Sequence, residues 1–302
     1  MREKELKEIR KLMELQEGRK LSDDEFSKKL FALMQSMNGM DDDDDLTEEN
    51  AESVEDFLYL SEMAPTEKEA RRLVKKALEL EPDNVDAMVA LAQLNAHSLN
   101  DLEKEYCKII EIGKKKLEED GFMNIGSIGD FWFIHETRPF MRLLYEYTEL
   151  LTSLSKMRLA AKHCEYMLYL CENDNLGARY RLMHIWAYLE EQEKAEKLLN
   201  KYEEDSAMFL LPASILYYKL GDETKAKEFL KKLYRSNKDL KAFVQMLADD
   251  MSELLDEGDE EMATYRPDTI EELKMAFFNN TFLYTDSITY FLWAKKQLKG
   301  MK

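Results

Sequence analysis

The chain has 302 residues, 45% of them hydrophobic and 11% aromatic, with 43 Lys and Arg against 62 Asp and Glu. That is enough apolar material for one large or two small packed cores, and it excludes a wholly disordered chain. A formal net charge of −19 argues against general binding to nucleic acid or an anionic membrane, which need a positive surface, and only 10 Gly and 5 Pro argue against a turn-rich all-β fold.

The opening residues Met1 to Glu8 lack the apolar stretch of roughly 7–15 residues that a secretory leader needs. No window approaches the ~18 uncharged apolar residues of a membrane span. Cys107, Cys164 and Cys171 are an odd set in a large chain, which fits reduced thiols better than a disulfide framework. The expected location is therefore cytoplasmic, away from membranes.

Residues 1–38 predict two helices. Leu6, Ile9, Leu12 and Met13 share one face, and Phe26, Leu30, Leu33, Met34 and Met37 share another, after a capping box Ser22-Asp-Asp-Glu25. An acidic, base-free stretch follows from Leu30 to Glu67, and a second runs from Ala242 to Tyr265. The acids from Asp41 to Glu62 and from Asp249 to Glu261 together account for the whole acidic excess, so the rest of the chain is charge-balanced. Such runs read as solvated boundaries between parts. Asp41, Asp43, Asp45 and Glu52 have the spacing of a calcium loop, but Leu46 stands where that loop needs Gly, so no cation site is assigned.

From Met63 to Gln245 apolar residues recur at helical spacing. Capping boxes appear at Thr66-Glu-Lys-Glu69 and, further on, Thr269-Ile-Glu-Glu272; Pro82, Gly113, Gly121 and Gly221 read as stops. A second-order pattern lies above the helices. Ala70, Val74, Ala77 and Pro82 have offsets of 0, 4, 7 and 12, and Ala160, Cys164, Met167 and Glu172 repeat them. So do Ala226, Leu230, Leu233 and Lys238, and Ala195, Leu199 and Tyr202. Small, large, small at these offsets lets two helices cross closely while a larger side chain fills the gap to the next pair.

This pattern resembles the tetratricopeptide repeat, a helix pair of about 34 residues, over residues 63–245. The segments Glu136-Thr-Arg-Pro-Phe-Met-Arg142, Asn173-Asp-Asn-Leu-Gly-Ala-Arg-Tyr180 and Ile270-Glu-Glu-Leu-Lys to Trp293-Ala-Lys look like a bacterial branch of such proteins, distantly similar to the suppressor-of-tumorigenicity family. The early Trp of the usual first helix is missing, and Pro survives only after Ala70. The resemblance implies a right-handed α-solenoid, protein-interaction scaffolding and no catalytic residue. The expected fold is all-α: an N-terminal helical region with an acidic linker (1–62), a repeat array (63–245), and an acidic linker with two C-terminal capping helices rich in Phe and Tyr (246–302).

In such an array the first helix of each pair lines the concave face, through about its second, fifth, ninth and twelfth positions. That register gives Arg142, Tyr145, Glu149 and Thr152, then Leu176, Arg179, Met183 and Trp186, then Met208, Leu211, Ile215 and Tyr218. Arg142, Tyr145, Arg179, Met183, Trp186, Leu211 and Tyr218 are the expected groove. Arg can hold a carboxylate through two parallel hydrogen bonds, and aromatics and Met give adaptable apolar contact. An acidic or C-terminal carboxylate on a peptide is one expectation; pairing of Arg142 and Arg179 with acids of this chain, such as Glu146 or Glu149, is the other. The Lys and Asn set of chaperone-tail-binding relatives is not evident.

Other chemistry is weaker. His163, Cys164, Cys171 and His184 do not have zinc-site spacing, and Cys164 sits at the repeat's large apolar position. His135-Glu136 starts like a zinc-protease motif but reaches Pro139 where His is required. Gly121 to Gly129 lacks the Gly-Lys-Ser/Thr ending of a phosphate loop and reads as a connector, with a helix expected from Asp130. The reading is a non-enzymatic scaffold for a protein or peptide, without cofactor or metal. A peptide-sensing regulator and an enzyme with an unrecognised site are the alternatives.

Overall fold

Helix follows helix through the computed structural model, which describes residues 46–257 and 266–301 together with Lys28 and Lys29. No strand element occurs among the described residues, and none of the helices is long and apolar enough to cross a membrane. The Ser22 capping box, the helices expected over 1–38 apart from Lys28 and Lys29, the Asp41–Asp45 run and Asp259–Glu261 lie outside the described residues. The chain divides into two compact units, Met1–Lys116 and Leu117–Lys302.

In the first unit, α1 (Val54–Glu62), α2 (Glu67–Leu80) and α3 (Val85–Asn95) pack on one another. Side-chain oxygens of Ser53, Thr66 and Asn84 cap them by accepting from the amides of Asp56, Glu69 and Ala87, and Asp56 returns the bond to complete a box. Val54, Phe57, Leu73, Ala77 and Ala87 form their core. Glu48 accepts from Arg72 and Lys76, and these hydrogen bonds hold its carboxyl down to about 2. The next helix, α4 (Leu99–Glu119), contains Gly113 in its interior, so the stop expected there is absent. A lone helical Gly costs only about 1 kcal/mol relative to Ala, and buried Tyr106 and Ile109 hold the face of the helix.

In the second unit the chain forms helix hairpins: α5 (Arg138–Ser153) with α6 (Met157–Leu170), α7 (Ala178–Tyr188) with α8 (Gln192–Tyr202), and α9 (Ala207–Lys219) with α10 (Glu223–Ser236). Three of these helices end in the same way. Ser155, Glu190 and Gly221 adopt left-handed backbone (φ 58°, 58° and 79°). The following amides of Lys156, Glu191 and Asp222 return to Leu151, Trp186 and Tyr217 carbonyls at 2.8, 3.0 and 2.9 Å. That is the Schellman closure, which satisfies the last carbonyls of a helix. Five residues after each turn stands a fully buried alanine: Ala160, Ala195 and Ala226. The small positions of the sequence pattern are thus the places where the second helix enters the hairpin. Cys164 and Leu230, four residues further, are buried too, whereas Leu199 is half-buried and its neighbour Leu198 takes the interior.

The connector before α5 is held by backbone pairing. Gly129 and Phe131 amides donate to the Leu170 carbonyl at 3.0 and 3.1 Å, and the Glu172 amide donates back to Gly129 at 2.8 Å. With the amides on either side of Asp130 committed there and its own amide donating to Ser127 at 3.1 Å, no helix opens at Asp130. A short 3-10 turn at His135–Thr137 precedes α5 instead, and Pro139, which has no amide proton to lose, sits in the first turn.

Beyond α11 (Leu240–Asp249) and α12 (Met251–Glu257), the chain forms α13 (Ile270–Phe278), α14 (Thr281–Thr285) and α15 (Ile288–Lys299), three helices where two were expected. The break falls at Asn280, whose Nδ2 donates to the Ala276 carbonyl at 3.1 Å. These helices pack along α7, α9, α10 and α11. They bury Phe277, Tyr284, Tyr290 and Phe291 completely. Each such ring removes roughly 150–250 Å² from water. Glu272 also departs from its expected role. It accepts from the Asp268 amide at 3.0 Å and from the Ala207 amide at 3.1 Å, so it caps α9 across the fold, while Thr269 turns its hydroxyl to the Arg266 carbonyl.

Candidate functional site

The segment from Cys171 to Tyr180 builds the site. Asp174 (φ 49°) and Gly177 (φ 73°) take left-handed backbone, and this turns the chain sharply from α6 into α7. The Asp174 carboxylate is 3% exposed. It accepts from the Ala178 and Arg179 amides at 2.7 and 2.9 Å and from the Arg179 guanidinium at 2.9 Å. A negative group here satisfies otherwise orphaned amides at the positive end of the helix. Burial pushes its carboxyl above the usual range, and the Arg179 hydrogen bonds offset part of that rise.

Arg179 is fully engaged by its own chain. Its Nε donates to Glu204 at 3.2 Å, and its guanidinium lies 4.1 Å over the Tyr180 ring and 5.4 Å from the Tyr202 ring. The Tyr180 hydroxyl donates to the other Glu204 oxygen at 2.7 Å. Gly177 is needed for more than its backbone angle, since a Cβ there would meet the Tyr180 ring at 3.0 Å.

One turn on, Arg181 is buried. It donates to Glu149 at 2.7 Å and Tyr145 at 3.4 Å, with its charge 5.2 Å from the Tyr145 ring. His184 follows at the centre of the fold. Its Nδ1 is 2.7 Å from the Tyr180 carbonyl and its Nε2 is 3.0 Å from the Tyr284 hydroxyl. A carbonyl only accepts, so Nδ1 carries the proton and Nε2 accepts from Tyr284. Burial holds the ring neutral, with its pKa lowered to about 4.

Beside these residues opens a cleft of about 320 Å³. Tyr145, Leu176, Arg179 and Met208, all members of the register read from the sequence, line it together. Arg181 and Met275 add to the lining, as do Asn279 and Asn280. The other expected groove residues go elsewhere. Arg142 is exposed on α5 and outside this lining; Met183 and Leu211 are fully buried; Trp186 is buried under Lys194, whose ammonium stands 4.3 Å from its ring. Tyr218 packs on Tyr290 and Trp293. The C-terminal helices therefore cover much of the row formed by α7 and α9, and the cleft lies where they leave it open.

The Cys and His residues do not converge. Cys164 is packed in the interior, where burial pushes its thiol up to about 12, Cys171 pairs through its backbone with Gly129, and His184 is taken by Tyr180 and Tyr284. Sequence reasoning missed Asp174, Glu204, Arg181 and the Asn279-Asn280 pair. Asp174 and Gly177, three apart before a helix, were the available signal; Asn280 offered none, because its partners in the cleft lie about a hundred residues upstream. No protein-family model and no curated protein matches the chain.

Proposed function

We propose that the protein is a non-enzymatic, tetratricopeptide-like scaffold of the cytoplasm that binds a segment of another protein in the cleft at the start of α7. The observation that carries this reading is the convergence of Tyr145, Leu176, Arg179 and Met208 on one open cavity. A site lined by two tyrosines, two arginines and two methionines offers adaptable contact with a few fixed polar points, the usual make-up of a recognition site. The state of the nearby titratable groups supports binding over chemistry. The Cys164 thiol stays protonated at neutral pH, and both ring nitrogens of His184 are committed to hydrogen bonds.

The test places a photo-crosslinking phenylalanine derivative at Asn279, an exposed member of the lining, and irradiates it in the source cells. The reading expects one dominant protein adduct. That adduct should disappear when the same derivative is moved to the exposed Ile125. Adducts that are the same from both positions would contradict it.

A further inference from the structure

The exposed side of α10 carries a ladder of positive charge. Lys227, Lys231 and Arg235 stand four residues apart, so they share one stripe of the helix and repeat every ~6 Å along its axis. The other cations of this helix are matched: Lys225 meets Glu196 at 3.3 Å and Lys232 meets Asp205 at 2.5 Å. Among the described residues, no acid pairs with the ladder. Like charges at this spacing weaken a helix. A positive charge suits the last turn, where Arg235 stands near the negative end of the helix, but Lys227 lies toward the positive end and gains nothing there.

The ladder borders a cavity of about 400 Å³ where α10 and α15 pack together. Lys227, Lys231 and Arg235 line it with Lys238, whose ammonium donates to the Tyr234 carbonyl at 3.0 Å. The other wall comes from the end of α15, through Gln297, Gly300 and Met301, and carries no charge. Among the described residues, no acid enters the lining. In a chain of net charge −19, an open cavity with four cations and no acid lacks its counter-charge. It shares no lining residue with the cleft at the start of α7.

We propose that this cavity docks an acidic segment of a partner protein, held in extended form with carboxylates on alternate residues. Alternate side chains of an extended chain point the same way and repeat every ~6.6 Å. That matches the ~6 Å repeat of the ladder, so three carboxylates answer the ~12 Å from Lys227 to Arg235. A single phosphate spans too little of the ladder to answer all three cations. Arg235 offers a carboxylate two parallel hydrogen bonds, and Met301 with the half-buried Tyr234 ring gives apolar contact beside it.

The test uses the full chain and the peptide Asp-Ser-Asp-Ser-Asp, with Asn-Ser-Asn-Ser-Asn as the uncharged control, each amidated and carrying a neutral dye. Fluorescence anisotropy should rise saturably with the acidic peptide only, and the affinity should fall with added salt. Lys227→Gln, Lys231→Gln and Arg235→Gln together should weaken binding about tenfold. Lys75→Gln, Lys162→Gln and Lys197→Gln together change the net charge equally at other exposed sites and should leave it in place. The 13C-methyl signal of Met301, assigned by Met301→Leu, should shift saturably with the acidic peptide in the unmodified chain, which locates the site even if the first triple variant does not fold. No saturable binding, equal loss in both triple variants, or an unmoved Met301 signal would overturn the proposal. Displacement of the peptide by an equal concentration of inorganic phosphate would overturn it in favour of a phosphate site. Capture of the chain by phosphatidylserine vesicles in place of the peptide would overturn it in favour of a membrane surface.

Discussion

His184 Nε2 accepts a hydrogen bond from the Tyr284 hydroxyl at 3.0 Å, and this contact joins α7 to α14 across a hundred residues of sequence. Burial keeps the imidazole neutral, because the charged form would lose its hydration here and face nearby Arg181, and the hydrogen bond from Nδ1 to Tyr180 offsets only part of that. The folded protein thus has a His pKa of about 4 against an ordinary 6.5. The group is depressed on folding, so the unfolded chain binds the proton first. Stability is fully present above about pH 6.5 and falls as the pH drops toward 4, by roughly 3 kcal/mol from this group at the limit. Denaturant unfolding of wild type and His184→Gln across that range should show the difference in slope. Equal slopes would show that His184 does not carry the effect.

Asp174 and Arg179 make the second expectation. Asp174→Ala removes the acceptor of two helix amides and leaves the Arg179 charge half-buried with Glu204 as its remaining carboxylate partner. Breaking such a pair from one side costs about 3–5 kcal/mol. Thermal unfolding should report a loss of that order. Arg179→Ala, which leaves the capping bonds of Asp174 in place, should cost less.

The Tyr290 hydroxyl donates to Ser214 at 2.8 Å, and Ser214 donates to the Ala226 carbonyl at 2.7 Å, all buried between α15, α9 and α10. Ser214→Ala strands the Tyr290 hydroxyl in the interior, a loss of about 1–3 kcal/mol. Tyr290→Phe removes that hydroxyl and leaves Ser214 its bond to Ala226, so it should cost about 1 kcal/mol. The double variant should be no less stable than Ser214→Ala alone. A double-mutant cycle in denaturant measures the coupling, and strict additivity would show that the three helices are not joined here.

The left-handed turns give a graded set. At Gly221 an added Cβ meets nothing, so Gly221→Ala costs only the backbone penalty of about 1–2 kcal/mol. Gly177→Ala adds a clash with the Tyr180 ring at 3.0 Å and should cost more. Ser155, exposed and left-handed at φ 58°, should gain roughly 0.5–1 kcal/mol on Ser155→Gly, since relief of strain exceeds the entropy lost by glycine. Unfolding midpoints of the three variants test the order.

How much of this was legible in the sequence follows from which signals are local. The hairpins were readable because Ala160, Ala195 and Ala226 are small where helices cross. The turns behind them were half hidden, because Ser155 and Glu190 adopt a conformation that only Gly221 advertises. Register along single helices placed Tyr145, Leu176, Arg179 and Met208 on one side, and the cleft brings them together. The same register could not show that α13 to α15 would lie over α7 and α9, since that depends on long-range burial of Phe277, Tyr284, Tyr290 and Phe291. Nor could it show that Glu272 would cap α9 instead of its own helix. Arg179 carried a double reading, and its acids proved to be Asp174 and Glu204, whereas Glu149 serves Arg181.

The most direct test of the account is amide hydrogen exchange of the full chain, alone and saturated with the peptide recovered from the position 279 adduct. Slowed exchange confined to peptides covering residues 174–181, 206–211 and 273–281 is the expected result. Protection centred elsewhere, with these three segments unchanged, would contradict the claim that the cleft at the start of α7 is where the protein binds its partner.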